Sequence, residues 1–177
     1  MIGTMRVVVY CGSSDEVPRS HLDLGGEMGR LLAEGGHEVV FGGGRVGLMG
    51  TLCRGARSAG GRVVGVILDR FVEMGVGDPD LEEMVVTPTM RRRKEGLEER
   101  ADAHLVLPGG VGTLDELFEI LSLKYLGLNR NPLVILNHEG FYDPILAFLD
   151  GLVEQGYVKG DHLPLHVTAT TPARALD

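Results

Sequence analysis

The sequence predicts an α/β fold: a Rossmann-like, doubly wound parallel sheet with helices on both faces. Three observations carry this expectation. Valine- and leucine-rich runs of strand length alternate with helix-period segments along the chain. Those runs barely alternate apolar with polar residues, as strands do when both faces of a parallel sheet are covered. The 27 glycines among 177 residues cluster at strand ends, without low complexity. One domain over residues 1–177 follows, because the length suits a single core and no linker, repeat array or second core is visible.

In chain order, "RVVVYC" (6–11) predicts the first strand, and "YCGSSD" (10–15) the turn that ends it. Ser13 or Ser14 there either caps the next helix or meets a ligand. A helix near 21–35 and the strand "EVVF" (38–41) lead to "FGGGRVGLMG" (41–50). Its Gly42, Gly44 and Gly47 satisfy G-x-G-x-x-G between a strand and a helix near 48–59. Glycines so placed let backbone approach an anion at a positively polarised helix start. The strand "RVVGVIL" (62–68) ends at Asp69, about where a ribose-binding acid would sit. "FVEMGVGDPD" (71–80) reads as an irregular excursion before the strand "EMVV" (83–86). A helix near 90–101, the strand "AHLVLP" (103–108), a helix near 113–127, the strand "PLVIL" (132–136) and a helix near 142–155 complete the pattern.

The densest chemistry lies in "LPGGVGTLDELFEI" (107–120). Leu107 precedes Pro108 and is held extended, which ends its strand. Gly109, Gly110 and Gly112 can expose amide hydrogens in a phosphate-sized nest, and Thr113 adds a hydroxyl. Glu116 stands three residues after Thr113, so T-x-x-E also satisfies the capping box, and Asp115 suits the helix dipole. From spacing alone, capping and catalysis are both open for Glu116.

Upstream, "TPTMRRRKEGLEER" begins a helix at Pro88 and Thr89 and places Arg91, Arg92, Arg93 and Lys94 in its first turn. Cations there oppose the helix dipole, each at a cost of roughly 0.3–1 kcal/mol. Glu95, Glu98 and Glu99 offset part of this, but four adjacent cations in an acidic chain point to an anionic ligand for at least one arginine.

Other classes are disfavoured. A net charge of −8 argues against a general nucleic-acid binder. No apolar run approaches the roughly 18 residues of a membrane span, and the N-terminus reads as a strand rather than a secretory leader. Cys11 and Cys53 lack metal or redox spacing, which suits reduced thiols in a cytoplasmic protein. Histidines 21, 37, 104, 138, 162 and 166 show no metal-ligand spacing, so no metal is expected. There is no G-x-S-x-G elbow and no G-x-x-x-x-G-K-[ST] loop. Lys94, Lys124 and Lys159 are the only lysines, and none sits in a recognisable Schiff-base setting.

At this point the residues resemble a family. "YCGSS", "GGGRVGLMG", "MRRRK", "PGGVGTLDE" and "NPLVILNHEGFYDPILAFLD" are similar to successive segments of the LONELY GUY (LOG) proteins, often labelled lysine decarboxylase-like. "MRRRK" looks like that family's M-H-x-R-K segment, with Arg91 where histidine is usual, and "PGGVGTLDE" looks like its P-G-G-x-G-T-x-x-E signature. The resemblance implies a phosphoribohydrolase that cleaves the N-glycosidic bond of adenosine 5′-monophosphates, N6-modified or plain, without a cofactor. It implies Arg93 and Glu116 as the catalytic pair. It implies substrate and phosphate contacts at Ser13, Ser14, Gly43, Gly44, Met90, Lys94, Gly109, Gly110, Val111, Gly112 and Thr113. A homodimer is also implied, and the helix "LDELFEILSLKYLGL", apolar almost all round, offers a face for it. Two rivals remain: a non-catalytic nucleotide-binding or carrier protein on the same fold, and a dinucleotide-dependent oxidoreductase using Gly42, Gly44 and Gly47.

Overall fold

The computed structural model describes residues 3–159 and 164–176. The strands are β1 (Arg6–Tyr10), β2 (Glu38–Phe41), β3 (Val63–Leu68), β4 (Glu83–Thr87), β5 (Ala103–Val106), β6 (Leu133–Leu136) and β7 (Val167–Ala169). The helices are α1 (Arg19–Glu34), α2 (Gly47–Ser58), α3 (Asp69–Glu73), α4 (Met90–Glu98), α5 (Val111–Tyr125) and α6 (Asp143–Glu154). One sheet runs β4-β3-β2-β1-β5-β6-β7, and every named strand pair is parallel. This is the predicted α/β architecture.

Successive valines of a strand face opposite sides, so one sequence run builds two cores. Val7 and Val9 pack with Val39, Phe41, Leu24, Met28, Leu32 and Leu52 beneath α1 and α2. Val8 and Tyr10 pack with Val40, Val66, Leu97, Leu117, Ile120 and Ile135 beneath α4 and α5. That double burial explains why the strands read as continuous apolar runs rather than alternating ones.

Three elements depart from the sequence expectations. β7 was not predicted; at three residues it is too short for a periodic signal, and it forms by pairing Val134–Leu136 with Val167–Ala169. The stretch 71–80 is less irregular than its composition suggests, since α3 runs to Glu73 and Gly77 bridges back to Gly44. The glycine excess is also not confined to strand ends. A methyl group on Gly29 would overlap the Leu52 carbonyl, and one on Gly55 would overlap the Gly26 carbonyl, so these glycines let α1 and α2 approach closely.

Strand order turns at β1: after β4 the chain crosses to the other side and lays down β5. Such a switch point opens a crevice beyond the carboxyl ends of the two central strands. Here the β1 and β5 ends are tied together, Gly12 donating its amide to the Pro108 carbonyl at 3.0 Å.

Below the crevice, His104 on β5 is buried between Tyr10 and Asn129. Asn129 donates an amide hydrogen to Nε2 at 3.2 Å, which leaves Nδ1 protonated toward the Tyr10 hydroxyl at 3.2 Å. Burial, reinforced by the Lys124 charge, pulls the imidazole pKa from 6.5 down to about 4. The unfolded chain therefore binds the proton first, so this group's stabilisation is complete above pH 6.5 and is lost as pH falls toward 4. The full effect is about 3 kcal/mol. Unfolding free energies measured across this window should show a slope of about one proton from this site. His104→Gln should abolish that slope.

Candidate functional site

The crevice holds a cavity of about 550 Å³, within the range of small-molecule sites. Its floor and walls come from the β1 turn, α1, the start of α2, α3 and α4, the glycine run that enters α5, α5 itself and the turn before α6.

α5 begins at Val111, not at Thr113 as the sequence suggested, and its N-cap is Gly110 with no side-chain cap. Thr113 therefore lies inside the first turn and Glu116 in the second. The capping-box reading of T-x-x-E is overturned, because a capping carboxylate must reach back to the N-cap amide from the third position. Asp115 likewise stands beyond the first turn. What remains is a helix start with unsatisfied amides, lined by Gly109, Gly110, Val111, Gly112 and Thr113, opening on the cavity. A methyl group on Gly109 would overlap the Thr113 side chain, so that glycine leaves room for the tight entry.

Glu116 is 6% exposed and Arg93 5% exposed. Arg93 Nη1 donates to Glu116 Oε1 at 2.9 Å, and Nε donates to the Val66 carbonyl at 3.0 Å. Nη2 reaches the Gly42 carbonyl at 3.5 Å. Burial pushes the Glu116 carboxyl above the ordinary glutamate value, and the Arg93 charge and hydrogen bond pull the other way. A buried carboxylate with one oxygen held by a guanidinium is poised to interact with a developing positive charge.

Two of the other cations of this segment, Arg92 and Lys94, are partnered by carboxylates. Thr89 caps α4, its hydroxyl accepting from the Arg92 amide at 3.2 Å, and the Arg92 side chain pairs with Glu95 at 2.7 Å. Lys94 pairs with Asp115 at 3.1 Å and with Glu119 at 3.3 Å. Lys94 therefore stands outside the cavity lining and ties α4 to α5. Arg91 is exposed, and Met90 lines the cavity.

The two glycine loops do different things. The Gly47 amide at the start of α2 is not free to donate to a ligand, because it already donates to Asp15 Oδ1 at 2.8 Å. A methyl group on Gly42 would overlap Arg93 Nη2, so Gly42 makes room for the guanidinium rather than for an anion. Gly43 faces Ile67 and Met84, and Gly44 faces Met49; neither lines the cavity. Asp69 starts α3, bonds the adjacent Arg70 amide at 2.6 Å, and also lies off the lining.

Ser13 and Ser14 do line it, and neither caps α1, whose N-cap is Pro18. Ser14 Oγ instead accepts from the Glu16 amide at 3.2 Å. The sequence reading missed Cys11, His21, Phe71 and Phe141 on the lining, each an isolated residue outside any spacing rule. Burial, then the Glu116 charge, push the Cys11 thiol up, so it remains protonated. No lysine lines the cavity among the described residues, which leaves a Schiff base there without an amine. No cluster of three metal-ligating side chains occurs among the described residues, His162 lying outside them. Among the described residues, no helix is long and apolar enough to cross a membrane.

Comparisons with known proteins bear on this geometry. A family model described as "possible lysine decarboxylase" matches residues 49–177. A cytokinin riboside 5′-monophosphate phosphoribohydrolase of Mycobacterium tuberculosis is 44% identical over 157 residues, 89% of this chain and 83% of that protein. The cytokinin riboside 5′-monophosphate phosphoribohydrolase LOG of Oryza sativa subsp. japonica is 37% identical over 166 residues, 94% of this chain and 69% of that protein. The molybdenum cofactor carrier protein of Chlamydomonas reinhardtii superposes with a TM-score of 0.75 at 21% identity, over 98% of this chain and 94% of that one. That last likeness is one of fold. With relatives this similar across almost its full length, and a family model spanning most of it, the chain belongs to the LONELY GUY family.

Proposed function

We propose that the protein is a phosphoribohydrolase acting on adenine-type nucleoside 5′-monophosphates, N6-modified or plain, and releasing the free base and ribose 5-phosphate. The observation that carries this reading is the buried Arg93–Glu116 pair opening into the same cavity as an uncapped glycine helix start. Free amides at a helix N-terminus suit a phosphate, and a carboxylate held nearby suits the ribose.

In this reading the C1′–N bond of the substrate breaks, its electron pair passes to the base, and the ribose acquires oxocarbenium character. Glu116 stabilises that charge and accepts a proton from the water that bonds to C1′; that proton then passes to the departing base, which leaves as the neutral free base, and the carboxylate is regenerated. Arg93 positions the carboxylate, since its Nε and Nη1 donors are committed to Val66 and Glu116. The phosphate, held by α5, supplies binding energy remote from the breaking bond and fixes the ribose over Glu116. The names of the curated relatives support the reaction class. A carrier needs no buried carboxylate in its cavity, and isolating one from water is costly, so the pair favours an enzyme over that rival. Incubation with AMP and with isopentenyladenosine monophosphate tests the proposal. Free base and ribose 5-phosphate are expected in equal amounts, and intact nucleotide after prolonged incubation would overturn it.

A homodimer built on α5 and α6 belongs to the same reading. Phe118, Leu126, Leu128 and Phe148 are exposed, and an apolar groove runs between Phe118, Leu121, Tyr125, Leu149, Leu152 and Val153. Light scattering should give twice the chain mass, and Phe118→Glu should lower it toward one chain.

A further inference from the structure

His21 on α1 lines the cavity, yet the sequence motifs assign it nothing. It is only 6% exposed, and neither ring nitrogen makes a hydrogen bond among the described residues. His138 Nε2, not a His21 nitrogen, is the buried atom left without a partner among the described residues, so the His21 ring meets the cavity with hydrogen-bonding capacity that a bound ligand can take up. The edges of the ring are fixed by packing, with centroids 5.5 Å from Phe141 and 5.7 Å from His138.

Topology places His21 at one end of the cavity. Phe141 and His138 follow β6, and β5 lies between β6 and β1 in the sheet. The glycine run that follows β5 therefore shares this end. Met90, Phe71 and Arg93 come from α3 and α4 on the other side of β1. His21 accordingly shares an end with the uncapped amides of α5, and not with the side that Met90 lines.

We propose that His21 is a ligand of the substrate's 5′-phosphomonoester, completing the anion site begun by the α5 amides. The inference rests on the function proposed above and adds to it a phosphate-reading residue and a proton linkage. The titratable groups nearest the ring are His138 and Glu139 of the β6–α6 turn. Glu139 Oε2 stands 3.9 Å from Nε2, beyond hydrogen bonding but attractive to an imidazolium, and Ser20 Oγ donates to that oxygen at 3.3 Å. Cys11, Arg93 and Glu116 are the other titratable or charged groups on the lining. In the free protein, burial and then His138 hold the His21 pKa below its ordinary value against the pull of Glu139. A bound phosphate dianion favours the imidazolium, so binding takes up a proton and weakens as pH rises through the pKa of the complex.

The test is calorimetric binding of ribose 5-phosphate and of adenosine between about pH 5.5 and 8.5, on either side of the ordinary histidine pKa. The wild-type protein, His21→Gln and His21→Phe are compared. Wild-type affinity for ribose 5-phosphate should fall with pH, while His21→Gln shows only the ligand's own titration. His21→Phe, which keeps the packing against Phe141, should bind ribose 5-phosphate about tenfold more weakly near pH 6, as expected for loss of a charge-assisted hydrogen bond. Adenosine, which lacks the phosphate, should bind all three within about twofold. Identical pH profiles for wild type and His21→Gln would overturn the proposal, as would equal losses of ribose 5-phosphate and adenosine. Proton-linked ribose 5-phosphate binding without base release from AMP would sink the hydrolase reading and leave this one standing.

Discussion

Glu116→Gln is expected to lower kcat for base release from AMP by about 10²–10⁴-fold, with KM changed far less. The substitution is nearly isosteric, and the amide oxygen can still accept from Arg93 Nη1, so the fold and the hydrogen bond persist while the negative charge is removed. Only an interaction stronger in the transition state than in the ground state is then lost. Retention of near-normal turnover by folded Glu116→Gln would remove this residue from the mechanism. The pH profile offers a second check. The ionised carboxylate is the active form, and burial raises its pKa above the ordinary value. Activity should therefore rise with pH through a midpoint above about 4.3, the unperturbed glutamate value, and the limb assigned to this group should be absent in the variant.

Arg93→Ala is expected to lose both activity and stability. It strips the partner from a carboxylate that is 6% exposed, and removing one member of a buried pair costs ~3–5 kcal/mol. The sign of the pH effect follows from the causes acting on Glu116. Arg93 pulls that pKa down, so without it the carboxyl titrates still higher and is less ionised at neutral pH. The acidic limb of kcat/KM should move to higher pH, and residual activity should recover in more alkaline buffer. Arg93→Lys, which keeps the charge but not the guanidinium fork onto Val66 and Glu116, should fall between the two. If Arg93→Ala raised KM alone, with the acidic limb unmoved, the arginine would be a substrate ligand rather than the residue that positions Glu116.

Much of the molecule is written in local pattern. The valine runs predict strands because a residue pair i, i+1 must feed two cores, and Val7 and Val8 do. The α4 start is legible at Thr89, whose hydroxyl caps it, and the cations behind it mark a segment under electrostatic stress. That stress is relieved largely from a distance: Arg93 meets Glu116, and Lys94 meets Asp115 and Glu119, all on the next helix. Sequence proximity can propose such partners but cannot rank them.

Two glycine loops offered backbone to an anion, the one at 109–113 with the denser chemistry, and the assembled fold shows which helix start stays open. Asp15, thirty-two positions away, occupies the start of α2, whereas nothing on a side chain occupies the start of α5. The same holds for T-x-x-E: its spacing fits a cap, but α5 begins two residues early and carries Glu116 into the cavity. His21 is further still from prediction, since a single histidine on an amphipathic helix has no spacing to betray it. The layers, strands β1 to β6 and the residue types of the site are legible in local pattern alone, because backbone periodicity and burial are local properties repeated along the chain, whereas three-residue β7 is defined only by its pairing with β6. Which helix start stays open and which carboxylate is buried depended on contacts between segments far apart in sequence, and those exist only once the sheet has assembled.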